Sequence, residues 1–427
     1  MKTLIKNGRV VTSRNQLIPV DVWIEEGKIK GLGQFTETAE SFEQVIDAKN
    51  GLITPGLVDV HVHFREPGFE YKETIETGSR SAAKGGFTTV CAMPNLNPVP
   101  DTPERLTDMY QRIEKDSVVN ILQYAPITKE LNTEKLVDFA GLKKAGAFAF
   151  TNDGVGVQTA GVMYEAMKEA AALDMAIVAH TEDESLLFGG VMHLGEKSKE
   201  LGLPGIMSAT ESSQIARDVL LAKETGVHYH VCHVSTKESV EVIRQAKKHG
   251  IHVTCEVCPH HLIMTDCDIT HDHGYFKMNP PLRATDDQQA LIDGLLDGTI
   301  DCIATDHAPH GHEEKNQSMI DSPFGIVGSE TAFALMYTHF VKTNRFTLKQ
   351  VVYWMTEAPS KLFNLETGSL NIGADADIAI FDLDEEVVIP EEFVSKSHNT
   401  PFSGEKVVGD TLYTFVKGKL VWNKKEA

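Results

Sequence analysis

Eight short apolar runs separated by helix-patterned segments, polar residues closing most of those runs, and β-prone stretches at both chain ends predict an α/β fold. The expected architecture is a (β/α)8 TIM-type barrel over residues 54–366, joined to a small β-sandwich domain built from residues 1–53 and 367–427. The alternative, a doubly wound open sheet, would want a Gly-rich phosphate turn after an early strand, and none is present.

Taken in order, the N-terminal stretches "IKNGRVV" and "IEEGKIKGLG" carry Asn-Gly and Glu-Gly pairs, which is hairpin chemistry. The barrel runs follow as "GLVDVHVHF", "TTVCAMP", "VNILQYAPI", "AFAFTND", "MAIVAHTED", "HYHVCHVST", "HVTCEVCPH" and "IDCIATDHAPH". Between them "PERLTDMYQRIEKD", "GVMYEAMKEAAALD", "SSQIARDVLLAKETG" and "KESVEVIRQAKKHG" place apolar residues at helical spacing. The chain then returns to strand patterns in "ADIAIFDLD" and "GDTLYTFVKGKLVW", the last with a Lys-Gly turn.

Composition narrows the function classes. With 61 acidic against 40 basic residues and a net charge of −21 in 427 residues, the chain lacks the cationic surface that binds phosphate backbones, so no nucleic-acid partner is expected. "MKTLIKNGRV" has no apolar signal core and nowhere do 18 apolar residues run together, so neither a membrane partner nor export is expected, and the anticipated location is cytoplasmic. Six cysteines in so long a chain do not make a disulfide framework. "CEVC" has zinc or redox spacing but no matching second pair, so Cys255 and Cys258 read as buried strand thiols.

Catalytic groups of such barrels sit at the C-terminal ends of the strands. Here the first run ends in His61 and His63, the fourth in Asp153, the fifth in His180, the sixth in His233 and the eighth in Asp306. One strand-end histidine means little, but His61 and His63 share a strand face, and the other four donors converge on the same rim. Imidazole with carboxylate suits Zn²⁺ or a similar ion, and six donors exceed what one tetrahedral ion uses, so two metals are implied. A carboxylate such as Asp153 can bridge them. Water acidified there would attack a carbonyl, with Asp306 passing its proton to the leaving nitrogen.

The motifs "DVHVHFREPG", "AMPN", "TNDG", "AHTED", "CHVS", "NPPLR" and "TDHAPH" resemble the amidohydrolase superfamily, and more narrowly the bacterial dihydroorotases of class I, across essentially the whole chain. The resemblance implies reversible closure of N-carbamoyl-L-aspartate to dihydroorotate in pyrimidine synthesis, a binuclear zinc centre and a homodimer. It assigns His61 and His63 to the first zinc, His180 and His233 to the second, Asp153 to the bridge, and Asp306 to completion of the first site. Related cyclic amidases bridge with a carboxylated lysine on the fourth strand. "AFAFTND" has none, and Lys143 and Lys144 fall in the preceding helical segment.

An anionic substrate accounts for Arg65, whose guanidinium can hold a carboxylate through two parallel hydrogen bonds. The same likeness places His63, Asn95 and His310 near the substrate, Asn279 toward the ring amides, and Phe324 and Gly325 as backbone contacts. Both asparagines neighbour prolines, where turn capping is the alternative role. His260 and His261 are expected to support the metal ligands from behind or to be structural, and His193, His271 and His273 to be solvated. "HGHEEKNQ", residues 310–317, reads either as a polar loop that could cover the site or as a simple surface loop. The rival functions are another cyclic amidase, such as a hydantoinase, dihydropyrimidinase or allantoinase, and a non-catalytic scaffold of the same fold. Arg65 argues against the first and the full donor set against the second.

Overall fold

The computed structural model describes residues 1–35 and 42–426. Strands β1 (Lys2–Val11), β2 (Leu17–Glu25), β3 (Lys28–Gly33), β4 (Gln44–Asp47) and β5 (Leu52–Pro55) open the chain. The barrel strands are β6 (Leu57–Val62), β7 (Phe87–Ala92), β8 (Asn120–Gln123) and β9 (Ile177–Ala179). A two-residue pair, β10 (Met192–His193) and β11 (Gly205–Ile206), precedes β12 (Tyr229–Val231), β13 (Val253–Val257) and β14 (Cys302–Ile303). Strands β15 (Ile378–Val388), β16 (Lys406–Val416) and β17 (Lys419–Asn423) close the chain.

Strands from both ends form one eight-stranded sheet in the order β17-β16-β15-β5-β1-β2-β3, with β4 paired to β1. It has its own core, including Ile5, Val22, Ile24, Ile378, Ile380 and Phe415. The Glu26-Gly27 and Lys417-Gly418 pairs make the hairpin turns, each with both residues at positive φ. Asn7-Gly8 does not: it lies inside β1, where the β1–β2 register shifts between Ile5 and Gly8 and Asn7 has φ 59°. The left-handed tolerance of Asn is spent there on a bulge, not a turn.

The barrel consists of two parallel sheets, β6-β7-β8 and β9-β12-β13-β14. They meet at two seams. At the first, Phe150 bridges to Ala125 on one side and Ile177 on the other. The fourth expected strand, residues 147–153, is therefore reduced to single bridges. Its backbone still pairs on both sides, Phe148 N and Thr151 N donating to Gln123 O and Ala125 O and Phe150 N to Ala176 O, while the Asn152 side-chain oxygen accepts from Ile127 N and Thr128 N at its end. At the second seam Val62 bridges to His307, and His63 N donates to His307 O at 2.8 Å.

Helices cover the outside. Pro103–Asp116 starts on Thr102, whose side chain accepts from Arg105 N, and buries Leu106, Met109 and Ile113 on one face. Threonine caps of the same kind open Ile75–Lys84, Ala160–Ala172, Lys237–Lys248 and Leu348–Met355. Inside the barrel lie Val58, Val60, Cys91, Tyr124, Val178, Cys232 and Cys302. Cys255 and Cys258 are buried free thiols, as expected, while Cys267 is exposed. No helix among the described residues is long and apolar enough to cross a membrane.

Two sequence expectations fail outside the site. His193 is buried in β10, 3.4 Å from the Arg283 guanidinium, because the two-residue β10–β11 pair folds that segment inward. Residues 310–317 are not simply a polar loop: His312–Lys315 forms a helical turn, and fully buried Lys315 donates to Lys277 O and Pro323 O.

Candidate active site

Every residue of β6 is buried, so its polar members must find partners inside the protein. Asp59, His61 and His63 alternate onto one face. Asp59 accepts from Thr305 Oγ1 at 2.5 Å and from Thr305 N and His61 N at 3.1 Å, which ties β6 to the segment after β14. That segment carries Asp306 toward His61 and His63.

The six donors meet. His61 Nε2 lies 3.3 Å from Asp153 Oδ1 and 3.2 Å from Asp306 Oδ1. His63 Nε2 lies 3.3 Å from Asp153 Oδ2 and 3.1 Å from Asp306 Oδ1. His180 Nδ1 and His233 Nε2 stand 3.0 Å apart, and each is within 3.7 Å of Asp153 Oδ1. Donor atoms of His61, His233 and Asp306, and of Asp153, His180 and His233, fall within 4.8 Å of one another. Asp153 thus stands between two groups of imidazoles.

The backbone at this rim is strained. Arg65, His233 and Asp306 adopt φ of 60°, 30° and 51°, the left-handed region that side chains other than glycine seldom occupy. Burial works against charge on His61, but Asp153, Asp306 and Glu256 outweigh it and raise its pKa. Burial would equally raise the Asp306 carboxyl, yet His61, His63 and His233 hold it well below the usual carboxylate range. Mutual neutralisation of this density is what a cation would otherwise supply.

Around the donors a cleft of about 270 Å³ is lined by His63, Arg65, Asn95, Asp153, His180, His233, Asn279, Asp306, His310, Phe324 and Gly325, together with Gly154, Glu182 and Ala308. His63 Nδ1 donates to Asn95 Oδ1 at 2.9 Å, which leaves Nε2 for the donor cluster. Asn279 Nδ2 donates to Glu182 Oε2 at 2.6 Å and lies 3.4 Å from His180 Nε2. His310 Nε2 donates to Phe324 O at 2.8 Å, and Lys72 Nζ donates to its Nδ1 at 3.1 Å. Arg65 is 7% exposed and donates through Nε to Pro309 O. Among the described residues no carboxylate lies within 4.0 Å of its guanidinium, and burial draws its pKa down to about 10 against the pull of Asp306 and Asp153.

Sequence reasoning missed Glu256 and Glu182. Glu256 is fully buried and accepts from His61 Nδ1 at 2.6 Å, which fixes that ring with Nε2 toward the cluster. A signal existed: an acid in the middle of the apolar run "VTCEV" has to be paired. His260 and His261, both buried, remain apart from the six donors, and His261 Nε2 donates to Pro280 O. Lys143 and Lys144 are exposed on the helix Phe139–Lys144, far from any bridging role.

A model of the family "Dihydro-orotase-like" matches residues 50–239. The dihydroorotase of Enterococcus faecalis is 69% identical over 425 residues, covering 99% of each chain, and that of Ligilactobacillus salivarius is 62% identical over 429 residues, covering 100% of each. Among solved structures, the L-hydantoinase (dihydropyrimidinase) from Arthrobacter aurescens matches with a TM-score of 0.87 at 29% identity, covering 99% of this chain and 96% of that one. Barrel, donor cluster and these likenesses define a cyclic amide hydrolase of the amidohydrolase fold with a metal cofactor. Similar over its whole length to the relatives from E. faecalis and L. salivarius, the chain belongs to the dihydroorotase family.

Proposed function

We propose that the enzyme interconverts N-carbamoyl-L-aspartate and (S)-dihydroorotate at this cleft, with two zinc ions held by His61, His63, Asp153, His180, His233 and Asp306 and Asp153 shared between them. The donor set fits such ions: His61 Nε2 and Asp153 Oδ1 are buried, face each other and make no hydrogen bond. Bound divalent zinc supplies Lewis acidity, which makes water a competent nucleophile at neutral pH and polarises the amide carbonyl.

The chain's own residues do the rest. Arg65, assisted by Asn95 and His310, holds the substrate carboxylate. Asn279 and the backbone of Phe324 and Gly325 orient the ring amides, with His63 at the cleft wall. In ring opening the Asp306 carboxylate takes the proton of the attacking water and delivers it to the leaving nitrogen. In closure it runs the same transfer backwards.

The observation that carries this reading is Arg65, a buried guanidinium beside the donor cluster with no carboxylate partner among the described residues. A neutral hydantoin gives such a cation nothing to bind, whereas an acidic ring completes it. The test is turnover of dihydroorotate, a hydantoin and allantoin by one preparation, with zinc measured on the same sample. Preference for dihydroorotate at two zinc per chain is the expected result; preference for a neutral ring would overturn the reading.

A further inference from the structure

The barrel interior is mostly apolar side chains and thiols, yet one line of polar groups runs through it. It begins at a cavity of about 530 Å³ near the N-terminal ends of the strands, lined by His228, His252, Met175 and Phe363. His228 Nε2 lies 2.7 Å from Thr254 Oγ1, which lies 2.7 Å from His230 Nδ1. His230 Nε2 is 3.1 Å from Glu256 Oε2, and Glu256 Oε1 is 2.6 Å from His61 Nδ1. His230 and Thr254 are directly paired across the β12–β13 ladder, so this contact is set by register.

The proton positions follow from one end. With Nε2 given to a metal, His61 carries its proton on Nδ1 and donates to Glu256. The Glu256 carboxylate only accepts, so His230 must donate through Nε2, which leaves its Nδ1 an acceptor. Among the described residues the Thr254 hydroxyl fills it, and the Thr254 oxygen then accepts from His228 Nε2. Each link has one consistent donor. Burial together with His230 and His252 pulls the His228 pKa down to about 3, in keeping with a neutral ring at that end.

Buried polar chains cost stability relative to apolar packing, and a line of them through a barrel core is retained only where it orders something. We infer that Thr254 and His230 are positioning residues for His61: beside the His233 backbone N–H, which donates to Glu256 Oε1 at 3.3 Å, they fix the Glu256 carboxylate as an acceptor and thereby hold the His61 ring with Nε2 toward the metal. This rests on the proposal that His61 ligates metal.

The test is Thr254→Val, which keeps the shape and removes the hydroxyl, beside Thr254→Ser, which restores it. Metal loss from the purified holoenzyme to a competing chelator is followed together with kcat. Val is expected to weaken retention by about 10–100-fold, and Ser to hold metal as the wild type does. Wild-type retention in the Val variant would overturn the inference. A wild type that binds no metal would instead overturn the reading of the centre on which it rests. Nitrogen-15 spectra of histidine-labelled wild type give a second readout independent of how Val folds: His230 is expected as the Nε2–H tautomer, and the Nδ1–H tautomer would refute the chain.

Discussion

Arg65 and Asp306 line the same cleft, and the proposed reaction gives them two separate tasks, choosing the substrate and moving its proton. Arg65→Met is expected to cost about 3 kcal/mol in kcat/KM on an acidic substrate, roughly a hundredfold. Metal content should be unchanged, because the guanidinium donates to Pro309 O and not to the donor cluster. Steady-state kinetics with metal analysis checks both halves. Asp306→Asn keeps the shape and removes the base, so kcat should fall by roughly 10²–10⁴, measured at saturating substrate. At this scale the sequence was informative where a residue's neighbours along the chain carry the signal. His-x-His followed by arginine is such a case, and so is a carboxylate or imidazole closing an apolar run. Glu256 and Glu182 were not read, because their importance lies in partners such as His61, 195 positions away from Glu256.

The element that most departs from its sequence pattern is the turn His312–Lys315. Its polar composition suggested a surface loop, but Lys315 is turned inward against Lys277 O and Pro323 O, bracing the segment that presents Phe324 and Gly325 to the cleft. Burial, with Lys277 adding to it, lowers the Lys315 pKa to about 7. In the unfolded chain a lysine titrates near 10.4. Between those values the unfolded state binds more protons, so this residue makes stability rise with pH from about 7 to about 10. Lys315→Met should flatten that slope in urea unfolding series across the range. Helices were legible where apolar residues keep a helical period, as in Pro103–Asp116. The run 147–153 pairs its backbone on both sides as its pattern announced, although only Phe150 forms bridges.

For the whole molecule, the alternation of runs and helical segments was enough to predict a barrel, since each unit is local in sequence. How the barrel closes was not, because closure depends on contacts such as Val62 with His307 that no local pattern contains. Those closures matter more than their size suggests. The barrel's two sheets are joined on one side through the paired segment 147–153 and on the other through Val62 and His63 with His307; Asp153 emerges just after the first junction, and His63 and Asp306 flank the second. Donors from both halves therefore surround one point. A cation there acts on the protein as a covalent cross-link does, by withdrawing separated arrangements of the halves from the ensemble. Chelation is accordingly expected to lower thermal stability, by about 2.7 kcal/mol if the free metal stood at a hundred times its dissociation constant. Calorimetry with and without chelator measures that loss, and hydrogen exchange should locate it at the amides of His63 and Thr151, which pair across the two seams. The cation that serves the proposed reaction would then also hold the two halves of the barrel together, with part of its binding free energy going into that restraint.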